Sequence, residues 1–138
     1  SQVNQARIKS RDARRLSDLK EMKLALSIFF DANKRYPTDA EWAADQLASE
    51  SVPNCNGKRC MPLAPKDPRG GARYPYYLCS EIMYHLGANL EIKNNPILRD
   101  DYDAVGSLPT ECGATTIDSP DVDGCANETG RYCYDTTP

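Results

Sequence analysis

The sequence predicts an α+β domain: a long N-terminal helix packed on a small antiparallel β-sheet, with a disulfide-tied C-terminal region. Three observations lead there. Residues 1–35 hold no proline or glycine and are rich in Ala, Leu, Lys, Arg, Asp and Glu, a composition that favours helix. Residues 74–92 carry a dense run of aromatic and β-branched side chains with partial alternation, the mark of strands. Six cysteines sit in a small, turn-rich chain, and from Lys93 onward asparagine, aspartate, proline, glycine, serine and threonine leave no long periodic segment.

The first helix is expected over residues 1–35 and is stopped by Tyr36-Pro37, because a residue before proline avoids helical angles. Its character changes along its length. Up to about Ser17 it is polar nearly all round, with Val3, Ala6, Ile8 and Ala13 as its apolar content. From Leu19 to Ala32 it is apolar over most of its circumference: Leu19, Met22, Leu26, Phe29 and Phe30 share one side, and Leu24 and Ile28 lie on another. Only the second half has a face to hold a sheet. The first half has no core of its own, and an isolated helical segment is marginal in water.

Thr38-Asp39-Ala40-Glu41 has the pattern of a capping box, so a short helix is expected within residues 38–50, burying Trp42 and Leu47. Residues 51–72, with Pro53, Pro62, Pro65, Pro68, Gly57, Gly70 and Gly71, read as a loop. A β-hairpin region follows over 73–92, with its bend at Cys79-Ser80-Glu81. Residues 93–138 form the disulfide-tied remainder, with one short strand near Arg131–Tyr134. The 138 residues make a single domain with one modest core. The chain opens on Ser1 rather than Met, as expected of a processed or trimmed protein.

Cys55, Cys60, Cys79, Cys112, Cys125 and Cys133 form an even set, which in a small chain points to disulfides and an oxidising compartment. The competing reading is zinc, but zinc prefers Cys-x2-Cys pairs or paired histidines, and here the only histidine is His85. Six cysteines allow 15 pairings. The short spacings nominate Cys55–Cys60 and Cys125–Cys133, which leaves Cys79–Cys112.

Nothing in the sequence suggests an enzyme. His85 lies in an expected strand without a nucleophile motif, and no phosphate-cradling glycine loop is present. The net charge of −3 is unevenly spread, with Arg7, Lys9, Arg11, Arg14 and Arg15 crowding the start and carboxylates the end. The basic start offers charge to nucleic acid but no interleaved aromatics for stacking. Arg11, Arg14 and Arg15 are expected to be exposed, to add little to stability, and to serve assembly instead.

Three blocks, taken in order, resemble a known family. The stretch Arg11-Asp12-Ala13-Arg14-Arg15-Leu16-Ser17-Asp18-Leu19-Lys20 leads through an apolar run to Asn33-Lys34-Arg35-Tyr36-Pro37-Thr38. Asp67-Pro68-Arg69-Gly70 then precedes Tyr74-Pro75-Tyr76, and Tyr84-His85-Leu86-Gly87-Ala88-Asn89-Leu90-Glu91 follows. Together, over residues 1 to about 92, they resemble type IV pilins and the major pseudopilins of type II secretion. The resemblance implies a pilin-like fold and a structural subunit of an extracellular or periplasmic filament. It implies an N-terminal hydrophobic anchor, missing from this sequence with the family's early glutamate. That anchor would hold the subunit in the inner membrane before assembly. The implied partners are copies of itself and other pilin-like subunits, and Arg11, Arg14 and Arg15 would pair with neighbours near the filament core. The cysteine count leans towards pilin and Asp67-Pro68-Arg69-Gly70 towards pseudopilin, so that choice stays open.

Asp118, Asp121 and Asp123 precede Gly124, an oxygen-rich loop suited to calcium, and major pseudopilins commonly hold calcium in their C-terminal loop. The spacing is not that of an EF-hand, and the alternative is an acidic, solvated loop. Asn127-Glu128-Thr129 fits the glycosylation pattern. The rival functional class is a secreted, disulfide-rich binding or adhesion module that acts as a monomer.

Overall fold

The Ser1 hydroxyl accepts a hydrogen bond from Asn4 N (3.3 Å) and so starts helix α1, Gln2–Asn33. The computed structural model describes residues 1–100 and 131–138. At about 1.5 Å per residue, α1 is roughly 48 Å long. It ends two residues earlier than the proline suggests: Lys34 adopts a left-handed conformation (φ 59°) and its N–H returns to Phe30 O, closing the last turn. Among the described residues, no helix is long and apolar enough to cross a membrane.

Helix α2 is Asp39–Ala43, shorter than expected. The capping box is present: Thr38 Oγ1 accepts from Glu41 N, and Glu41 Oε1 accepts from Thr38 N (2.8 Å). Asp45 interrupts the helix with a positive φ of 54°, and a 3-10 turn, Gln46–Ala48, replaces its last part. Lys66 and Arg73 fix that break by donating to the Asp45 carboxylate at 2.6–3.0 Å. Trp42 and Leu47 are buried as expected, and Trp42 Nε1 donates to Tyr74 O (3.0 Å).

Within the 51–72 loop, Cys55 and Cys60 form the expected disulfide. Between them, Asn56 (φ 55°) and Gly57 (φ 80°) make a tight turn that only residues tolerant of the left-handed region allow, with Cys55 and Lys58 exchanging backbone hydrogen bonds. Cys60 N and Met61 N both donate to Leu47 O, which docks the loop on the core. Cys79 and Cys133 are also disulfide-bonded, and no free cysteine occurs among the described residues. Cys112 and Cys125 lie outside the described residues. Replacing Cys55 and Cys60 together by serine is expected to cost less than about 3 kcal/mol, because the closed loop is far shorter than 15 residues. Urea unfolding of the pair variant checks this; a larger loss would mean that the bridge holds more than its own loop.

The sheet has strands β1 (Tyr76–Ser80), β2 (Met83–Leu90) and β3 (Tyr132–Thr136), antiparallel in that order. The first hairpin pairs Tyr76 with Leu86 and Leu78 with Tyr84, with an irregularity between Leu78 and Ser80. The turn falls at Glu81–Ile82, so Cys79 and Ser80 belong to the strand rather than to the bend. β3 pairs Thr136 with Leu86 and Tyr132 with Leu90, extending two residues past the expected end.

β2 is the central strand, buried continuously from Tyr84 to Leu90. Tyr84, Leu86, Ala88 and Leu90 alternate along it and share one core with Leu19, Met22, Ala25, Leu26 and Phe29 of α1. The second half of α1 thus covers the sheet, as the change in helix character foretold. Phe30 is only partly buried and packs on the Tyr36 ring (centroids 4.8 Å apart). His85 is buried, with Nδ1 3.5 Å from Asp135 Oδ2 across the sheet's other face.

Candidate assembly surface

Where α1 crosses the end of β2, an ionic cluster replaces the apolar core. Arg15 is fully buried. It grips Asp67 with two hydrogen bonds, Nε and Nη2 each at 2.9 Å, and its Nη1 donates to Asp12 (2.8 Å) and Glu91 (2.7 Å). Arg11 donates twice to Glu91 (2.7 and 2.8 Å), and Arg69 adds a third cation at 3.0 Å. Asp12 accepts from the backbone N–H groups of Glu91 and Ile92, which lie just past the end of β2. One turn on, Tyr74 Oη donates to the buried Asp18 carboxylate (2.6 Å).

Local sequence sets this geometry. Asp67 sits at the mouth of a tight loop in which Gly71 N donates to Asp67 O, and Asp67 N donates to Ala72 O. Its carboxylate also accepts from Arg69 N (2.8 Å). Gly70 (φ 92°) and Gly71 (φ 73°) supply the left-handed turn that brings the chain back and aims Asp67 at the helix. The Asp-Pro-Arg-Gly step therefore orients a carboxylate towards Arg15.

The electrostatics agree with the geometry. Hydrogen bonds from Arg11, opposed by burial and reinforced by Arg15, hold Glu91 down at about 2. Burial works against the Arg15 charge, but its hydrogen bonds to Asp67 and Glu91 outweigh that and raise its pKa further. Burial, then the nearby Asp18 carboxylate, pushes the Tyr74 hydroxyl well above its usual range.

This corrects the exposure expected of the arginines. Arg15 has no exposed side chain and Arg11 retains only 28%, so neither is a free surface charge of small energetic weight. Arg14 fits the expectation: its side chain is 63% exposed and its nearest carboxylate contact, to Asp18, is a loose 3.9 Å. A signal for this division existed in the sequence. Asp12, Arg15, Leu19, Met22, Leu26 and Phe29 follow one 3-4 spacing and lie on one helix face, whereas Arg7 and Arg14 fall outside it.

The opposite face of α1 stays open. Residues 1–7 are exposed throughout. Farther along, Leu24 (63% exposed) and Ile28 (40%) stand with Leu63 (76%) around an apolar groove of about 250 Å³ between the helix and the Cys60–Leu63 segment. Glu21 lines that groove, and Asp31 is exposed one turn beyond Ile28.

Among the described residues, no group of three or more His, Cys, Asp or Glu side chains is placed to hold a metal. The calcium candidates Asp118, Asp121 and Asp123, and the glycosylation site Asn127, lie outside the described residues. No protein-family model, curated protein or solved structure matches this chain.

Proposed function

We propose that the chain is a structural subunit of an extracellular or periplasmic filament of the type IV pilin or major pseudopilin class. The observation that carries this reading is the division of α1. From Asp12 to Phe29 one face is tied to the sheet by charge and by apolar packing, while residues 1–7 project as exposed helix. A helical arm without a core of its own needs neighbours. The three sequence blocks that resemble the family add to the reading, since Asp67 and Glu91 from the second and third meet Arg15 of the first.

The rival reading, a secreted monomeric binding module, draws its support from the oxidised cysteines. One experiment separates the two. Cells making the protein from its own gene are sheared, and the released material is imaged with antibody labelling. Labelled filaments are the expected result. Recovery of the protein solely as a soluble monomer in the medium or periplasm would favour the binding module and end the filament reading.

A further inference from the structure

Beside the ionic cluster, the turn from Asp67 to Ala72 and the paired ends of β2 and β3 border a polar pocket of about 140 Å³. Three guanidinium groups line it, from Arg69, Arg73 and Arg131, together with Asn89 and one carboxylate, Asp67. That carboxylate is already met from within, since both its oxygens accept from buried Arg15 at 2.9 Å. Arg69 and Arg73 both bond carboxylates that other cations hold. Arg69 gives Nη1 to Glu91 (3.0 Å), which Arg11 and Arg15 grip as well. Arg73 gives Nε and Nη2 to Asp45, which Lys66 also holds at 2.6 Å. Neither spends all five of its N–H groups in these contacts, and their side chains stay 62% and 48% exposed. Arg131 is anchored instead. Its Nη2 donates to Asn89 O and its Nε to Leu90 O, and Asp67 lies 3.7 Å away, so a positive charge is fixed in the pocket wall.

We propose that this pocket binds a phosphate group, carried on a small soluble ester or on a lipid headgroup. Guanidinium forks match the oxygens of phosphate, and three of them at one pocket supply donors from three separate side chains. A phosphate monoester carries about −1.5 to −2 charges at neutral pH, enough to engage several cations at once. A carboxylate carries one, and must compete with Asp45 and Asp67, which the arginines already face. The space is many times the roughly 10–15 Å³ that a single water needs, so an oxyanion and the first atoms of its substituent fit. The site lies within one copy of the chain and does not depend on the filament reading.

Titration calorimetry of the purified chain with inorganic phosphate, at an ionic strength held constant with chloride, tests the site. Saturable binding with a Kd of about 1 mM or tighter is expected, and acetate should bind at least about tenfold more weakly. The double variant Arg69→Gln, Arg73→Gln is expected to weaken phosphate about tenfold or more. Its melting temperature should hold, because Glu91 keeps Arg11 and Arg15 and Asp45 keeps Lys66. Should the double variant melt early, Arg69→Gln alone removes the more exposed side chain and is expected to weaken phosphate several-fold. Arg7→Gln with Arg14→Gln removes the same charge outside the pocket and should leave binding unchanged. No saturable binding below roughly 10 mM phosphate, or acetate binding as tightly, overturns the proposal. Equal weakening by the Arg7 and Arg14 changes also overturns it, since that is the mark of general charge attraction. Sedimentation with phosphatidylcholine vesicles, with and without phosphatidic acid, then separates the two sources of phosphate. Retention on the phosphatidic acid vesicles, abolished by free phosphate and by the Arg69 and Arg73 changes, supports the lipid headgroup. No retention, with phosphate binding intact, supports the soluble ester.

Discussion

Arg15→Met is expected to destabilise the domain by about 3–5 kcal/mol, because it removes the buried counter-charge that buried Asp12 shares with the partly buried Asp67 and Glu91. A single domain holds only about 5–15 kcal/mol in total, so much of the stability goes with this one side chain. The loss should appear as a fall in melting temperature of roughly 10 °C or more. Arg15→Lys keeps the charge but loses the two-pronged grip on Asp67, and should fall between the variant and the parent. Arg14→Met, one residue away, is expected to stay within about 0.5 kcal/mol, since its side chain is 63% exposed. Equal melting temperatures for the Arg14 and Arg15 variants would show that the cluster does not hold the helix to the sheet.

The same cluster sets a pH dependence. Glu91 has its folded pKa depressed from 4.5 to about 2, chiefly by the hydrogen bonds from Arg11. A depressed carboxylate contributes stability above its unfolded value, and that contribution is lost as pH falls through the folded value. Glu91 therefore stabilises fully above about pH 4.5 and progressively less down to about pH 2.

Much of the fold was legible because local chemistry and periodicity agreed with it. The capping box at Thr38, the Cys55–Cys60 bridge and the sheet-facing line from Leu19 to Phe29 each follow from a spacing. Boundaries were less legible where a distant side chain decides them. Asp45 leaves the helical region where its carboxylate meets Lys66 and Arg73, the latter 28 residues away, and no local rule reports that. The exposure of the arginines was misread for a related reason. A charged residue on a helix is normally solvated, and Arg15 is buried only because Asp67 and Glu91 arrive from 52 and 76 residues downstream. Its membership of the core-facing 3-4 line was visible, but the residue types there pointed to water.

Phe29→Ala is expected to cost about 3–5 kcal/mol and Leu26→Ala about 2–5 kcal/mol, since both side chains are fully buried under β2 and cannot be replaced by solvent. Leu24→Ala removes as many carbon atoms as Leu26→Ala, two positions away on the same helix. At 63% exposure it should change stability by no more than about 0.5 kcal/mol. Urea unfolding of the three variants compares them directly. The contrast between Leu24 and Leu26 matters more than either value, because helix propensity is the same for both changes and only burial differs. A large cost at Leu24 in the isolated chain would mean that the outer face of α1 is covered within one copy. A small cost at Leu24, joined to a loss of filaments in cells, would separate the face that folds the domain from the face that assembles it.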